Sequence, residues 1–132
     1  MKNIAVISHD SKKPFLAEFI QTHRTWIQGV NIIATGRTAE YLEEKNVHVT
    51  HLSQGRYGGY NQITDMITKK EVDLVIFFID SSVQQPHHAD IKRLIDICVS
   101  DDIPFATNGA SAELLIIGLI RKDIANKAKS NL

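Results

Sequence analysis

Five short apolar runs, each closing on glycine or polar residues and each followed by an amphipathic stretch, constrain this 132-residue chain more than any other feature. The runs 3–8 (NIAVIS), 30–35, 74–79 (LVIFFI) and 103–107 are mostly apolar, as strands covered on both faces must be. The run 47–52 (VHVTHL) alternates as a half-covered strand does. Between the first two runs, 12–27 sets Leu16, Phe19, Ile20, His23, Trp26 and Ile27 at helical spacing, with Pro14 in the first turn and Gly29 as the stop. The same spacing predicts helices over 38–45, 61–70, 89–99 and 110–121, a glycine-rich loop over 53–60, and a loosely held polar tail over 125–132. Strands alternating with helices define an α/β fold, a three-layer, doubly wound, five-stranded parallel sheet. With no internal repeat, linker or low-complexity tract, residues 1–132 read as one domain.

Composition narrows the function classes. Fifteen basic residues balance fifteen acidic ones, so no global field favours nucleic acid or an anionic membrane. The one cysteine, Cys98, excludes an internal disulfide and falls in an apolar helical row, where a buried thiol is expected. No apolar run reaches the roughly 18 residues of a membrane span, and the N-terminus enters a strand without a signal-peptide pattern. A cytoplasmic protein is expected.

Ligands of open α/β sheets bind beyond the carboxyl ends of the strands. Here every strand ends in groups that hydrogen-bond or ionise: His9 and Asp10; Thr35, Gly36, Arg37 and Thr38; Gln54, Gly55, Arg56, Tyr57, Gly58 and Gly59; Asp80, then His87, His88 and Asp90 across a loop; Thr107 and Asn108. Two segments suit phosphate. In A-T-G-R-T at 34–38, two hydroxyls flank a glycine at a helix start, where exposed amides and the helix dipole favour an anion. Thr38 as a simple N-cap is the alternative. In G-R-Y-G-G at 55–59, main-chain amides approach a ligand with no Cβ in the way, though the motif is neither a Walker A loop nor GxGxxG. Lys13, Arg37 and Arg56 add positive charge. His9 and His87 stand near carboxylates, whereas His23, His48 and His51 suit structural roles. No helical H-x-x-x-H pair accompanies His87, His88 and Asp90, so no metal is expected.

These residues resemble the methylglyoxal synthases. The resemblance rests on S-H-D-S-K-K at 8–13, A-T-G-R-T at 34–38, Q-G-R-Y-G-G-Y-N-Q-I at 54–63, D-L-V-I-F-F-I-D at 73–80, Q-P-H-H-A-D-I at 85–91 and I-P-F-A-T-N at 103–108, in the family's order and spacing. It implies a flavodoxin-like sheet, a cytoplasmic homohexamer, and conversion of dihydroxyacetone phosphate to methylglyoxal and phosphate by a carbon–oxygen lyase without metal or organic cofactor. It also implies that His9, Lys13, Thr35, Thr38 and Gly55 bind substrate, that Asp10, Asp80 and Asp90 form an acidic network, and that His87 contacts the substrate's oxygens. Related domains serve as regulatory modules in carbamoyl phosphate synthetases and occur in the purine-pathway cyclohydrolase, so the fold serves enzymes and sensors alike.

Three positions depart from the family pattern. Its loop reads G-P-x-G-G-D-Q-Q, with the aspartate as catalytic base; Tyr60 stands at that position here. Arg37 replaces a phosphate-binding threonine and Arg56 the loop proline. A phenol with pKa of about 10 is ionised in roughly one molecule per thousand at neutral pH. The expectation is a homologue that binds dihydroxyacetone phosphate or a similar phosphate ester, with elimination absent or strongly reduced. The alternatives are a non-enzymatic phosphometabolite sensor or an enzyme of altered substrate.

Overall fold

The computed structural model describes residues 2–83 and 88–130; the His87 position and the side chains of Arg56 and His88 lie outside that description. Strand β1 (Lys2–Ser8) leads through a 3-10 turn (Asp10–Lys12) into α1 (Lys13–Thr22) and the short α2 (Arg24–Ile27). β2 (Val30–Ala34), α3 (Gly36–Glu44) and β3 (Thr50–His51) follow. A second 3-10 turn (Gly55–Tyr57) opens onto α4 (Gly59–Thr68), β4 (Leu74–Phe78), α5 (His88–Ser100), β5 (Phe105–Ala106) and α6 (Gly109–Ser130).

The five strands are parallel and ordered β3-β2-β1-β4-β5. β1 is central, pairing Ile4 with Ile32 on one side and with Leu74 on the other. The order reverses between β1 and β4, and that switch point opens the crevice where such sheets bind ligands.

Side-chain alternation along the strands builds two cores. Ile4, Val6, Leu74, Ile76 and Phe78 face Leu16, Ile20, Leu42 and Ile116 of the helices on one side. Ala5, Ile7, Val75 and Phe77 face Ile63, Ile67, Ile91 and Leu94 of α4 and α5 on the other. This double burial explains the nearly continuous apolar runs. Cys98 lies in the second core, and burial pushes its thiol up to about 11. Among the described residues, no helix is long and apolar enough to cross a membrane.

Several boundaries differ from the sequence reading. The helix over 12–27 breaks at His23, whose backbone (φ −105°, ψ 23°) leaves the helical basin. The strand over 47–52 shrinks to Thr50 and His51, in register with Ile33 and Ala34, and the Leu52 amide adds one more bond to the Ala34 carbonyl (2.8 Å). α3 begins at Gly36 rather than 38, with Thr35 as N-cap, so Thr38 is not the cap. α4 begins at Gly59 rather than 61, because Gly58 (φ +106°) makes the left-handed turn into it. The tail is helical to Ser130: past Gly118, α6 meets neither glycine nor proline and is rich in alanine and lysine.

Leu94 is fully buried and Val99, on the same helix, is 77% exposed. Leu94→Ala is expected to lower the unfolding free energy by about 2–5 kcal/mol, and Val99→Ala to leave it within about 0.5 kcal/mol. Urea titration of the two variants checks the assignment of faces.

Candidate functional site

The rim at the switch point starts where β1 ends. Pairing with β4 continues past the strand: the His9 amide donates to the Phe78 carbonyl (3.1 Å), and the Asp80 amide donates to His9 Nδ1 (2.7 Å). The His9 ring meets the Phe77 ring edge-on at 5.3 Å. The Asp80 carboxylate turns to its own loop, one oxygen accepting from Ser11 Oγ (2.6 Å) and the other from the Ser82 amide (3.0 Å) and Oγ (2.6 Å). The Ser11 hydroxyl, with the two Ser82 donors, holds this carboxyl well below the usual carboxylate range. Asp80 is therefore built as an acceptor that ties the turn after β1 to the end of β4.

Lys13 is 7% exposed although it is a lysine. Two of its three donors go to the Ser8 carbonyl (3.0 Å) and Asp10 Oδ1 (2.6 Å). Arg37 Nη1 lies 3.7 Å from the other Asp10 oxygen. The hydrogen bond from Lys13 lowers the Asp10 pKa against the opposing effect of partial burial, with the charges of Lys13 and Arg37 adding to it. Two cations from different elements thus meet at one exposed carboxylate.

The A-T-G-R-T segment differs in part from its sequence reading. The Gly36 amide does not face an anion; it donates to the Ser53 carbonyl (3.0 Å). Gly36 is there for close approach, since a Cβ would stand 2.9 Å from Gln54 Cγ and 3.0 Å from the Gln54 nitrogen. Thr38 Oγ1 accepts from the Ser8 amide (3.2 Å) and sits 3.5 Å from the Ser8 carbonyl, locking α3 to β1. Thr35 is buried and caps α3 without a side-chain capping bond, and the amides of Arg37 and Thr38 fall in the first helical turn, whose N–H groups have no partner within the helix.

These contacts also bring α3 against the glycine-rich turn. The Tyr57 and Gly59 amides both donate to the Gln54 carbonyl (2.9 and 3.0 Å), and Gln62 Oε1 accepts from the Ser53 amide (2.9 Å). A Cβ on Gly59 would collide with the Ser53 carbonyl oxygen, and one on Gly55 with the Tyr60 ring. Tyr60 thus lies across Gly55, nearly parallel to Phe77 (interplanar 17°, centroids 6.0 Å). Burial raises its phenol pKa, and the negative charge of Asp90, in the first turn of α5, raises it further. Beside it, Asn61 Oδ1 is buried with no hydrogen-bond partner among the described residues. At the β5 end, Asn108 Oδ1 caps α6 by accepting from the Ser111 amide (2.9 Å).

Lys13, Asp10, Arg37, Thr35 and Thr38 thus lie with His9 around the β1 end, and Phe77 links His9 to Tyr60, which lies against Gly55 and within the field of Asp90. Sequence reasoning missed Phe77, the shared platform of His9 and Tyr60, because nothing in LVIFFI distinguishes it from its neighbours. It also missed Ser11 and Ser82, whose only signal is hydroxyls flanking an aspartate turn. Among the described residues, no group of three His, Cys, Asp or Glu side chains is placed to hold a metal.

Fold and rim together define a doubly wound α/β domain with a cluster of polar and charged side chains at its topological switch point. A sequence profile of the MGS-like domain matches residues 16–107. A methylglyoxal synthase of Geobacillus sp. is 40% identical over 123 residues, covering 92% of this chain and 88% of the relative. One of Thermoanaerobacterium thermosaccharolyticum is 42% identical over 118 residues, covering 89% and 88%. The crystal structure of methylglyoxal synthase from Elizabethkingia anophelis superposes with a TM-score of 0.80 at 38% identity, covering 86% of this chain and 76% of that one. The chain belongs to the methylglyoxal synthase family of MGS-like domains.

The raised Tyr60 pKa has a sign that can be measured. Because the folded chain favours the neutral phenol, unfolded molecules lose that proton first, and stability falls as pH rises above about 10. Of the three tyrosines, Tyr60 is expected to ionise later than a free phenol does. Ultraviolet titration of wild type and Tyr60→Phe checks this: the late phase disappears in the variant.

Proposed function

We propose that this protein binds dihydroxyacetone phosphate or a similar small phosphate ester at the switch-point rim, and that phosphate elimination to methylglyoxal is absent or strongly reduced. The observation that carries the second half is Tyr60. A half-buried phenol of raised pKa, stacked on Phe77 and pressed against Gly55, stands where the family's pattern has its carboxylate base. Elimination starts with removal of a carbon-bound proton beside the carbonyl; a neutral phenol at pH 7 has no lone pair basic enough to take it. Losing a general base typically costs about 10² to 10⁴ in rate.

Binding is supported by what surrounds the rim. Lys13 and Arg37 supply charge, Thr35 a hydroxyl and α3 its first-turn amides, whereas the Cβ-free face of Gly55 is taken by the Tyr60 ring and the Tyr57 and Gly59 amides by the Gln54 carbonyl. A buried lysine and fixed helix dipoles of this kind help neutralise a dianion without rearranging, and the exposed Arg37 adds charge from α3. In this reading Asp10 orients the two cations, and Asp90 is the remaining carboxylate beside the bound ester. His87 keeps the oxygen-contacting role that the resemblance gives it, and Arg56, Gly58 and Gly59 the phosphate-binding role read from the glycine-rich loop. Homohexameric assembly and a cytoplasmic site of action belong to the same reading. A second reading, a phosphometabolite sensor without turnover, draws on the same contrast: the cation cluster is built while the base position is filled by an aromatic ring.

Incubation with dihydroxyacetone phosphate is expected to give methylglyoxal at no more than about one hundredth of the rate of a synthase carrying the aspartate. Tyr60→Asp is expected to raise that rate by about 10² or more. A wild-type rate equal to that of such a synthase contradicts the proposal. Failure of Tyr60→Asp to gain turnover while phosphate still binds favours the sensor.

A further inference from the structure

We infer that His9 is locked as a hydrogen-bond donor through Nε2 and is therefore not the base that stands in for the missing carboxylate. The argument rests on the Asp80 amide. A main-chain N–H has only a proton to give, so at 2.7 Å from His9 Nδ1 it must be received by that nitrogen's lone pair. A neutral imidazole has one bare nitrogen and one N–H; with Nδ1 bare, the proton is on Nε2. The one in-plane lone pair of the ring, on Nδ1, is then committed to the Asp80 proton, and Nε2 carries a proton that it can only donate. Whatever meets the far edge of the ring must be an acceptor.

Three further contacts make this tautomer a property of the fold. The His9 amide is fixed on the Phe78 carbonyl, so the backbone cannot slide. The ring stands edge-on to the fully buried Phe77, which limits its rotation. The Asp80 carboxylate, held by Ser11 and Ser82, sets the turn that aims the Asp80 amide. Asp80 is thus a positioning residue that acts through His9. The role of Nε2–H as donor to an anion's oxygen rests on the phosphate-ester reading above; the tautomer does not.

The test separates the two. Long-range proton–nitrogen correlation on protein labelled at histidine nitrogens, with His9→Gln used to assign the signal, is expected to place the His9 proton on Nε2 in the protein without ligand. A proton on Nδ1 overturns the inference. Inorganic phosphate is then titrated into wild type, His9→Gln, whose side-chain amide can donate from near the Nε2 position, and His9→Asn, which reaches only the Nδ1 position. Affinity is expected to fall about threefold in His9→Gln and at least about tenfold in His9→Asn, the loss of one hydrogen bond to a charged group. Equal losses in both variants overturn the donor role. Absence of phosphate binding in wild type with the proton still on Nε2 upholds the lock and overturns the phosphate-ester reading instead.

Discussion

The β1–β4 pairing is the constraint from which the rest of the site follows. Parallel ladders place successive strand ends at one edge, so the residues after β1 and after β4 must meet. Here the pairing runs beyond the strands, through the His9 amide to the Phe78 carbonyl and back through the Asp80 amide to the His9 ring. One aromatic residue of β4, Phe77, then meets His9 and Tyr60, which arrive from β1 and α4. The site is thereby referenced to the most rigid part of the molecule, the centre of a sheet buried on both faces.

Around that reference the electrostatics divide into two sides. On one, Lys13 is buried against Asp10 and Arg37 approaches from α3, so charge is concentrated locally in a chain with no net charge. On the other, Tyr60 presents a large neutral ring and brings its phenol into the field of Asp90. Arg37 and Tyr60 act together in the proposed function: one strengthens anion attraction, the other withdraws proton abstraction.

Much of this was legible in the sequence because its causes are local or periodic. Continuous apolar runs announced strands covered on both faces, and helical spacing located Leu16 and Ile20 of α1. The polar strand ends fell where the sheet rule puts them. What was not legible depends on contacts between distant segments. The α3 start moved to Gly36 because the Gly36 amide finds the Ser53 carbonyl, and Thr38 was claimed by Ser8. α6 outran its apolar pattern because propensity alone continues a helix whose last turns face water. The A-T-G-R-T motif correctly marked a helix start at the rim, but its pattern could not say which amides the fold itself would use.

A crystal structure of the protein soaked with inorganic phosphate tests the central claim most directly. The account predicts one anion per chain, seated between Lys13 Nζ, the Thr35 hydroxyl, the first-turn amides of α3 and the Gly55 main chain. Phosphate found only elsewhere on the surface, or a rim left empty at saturating concentration, contradicts it.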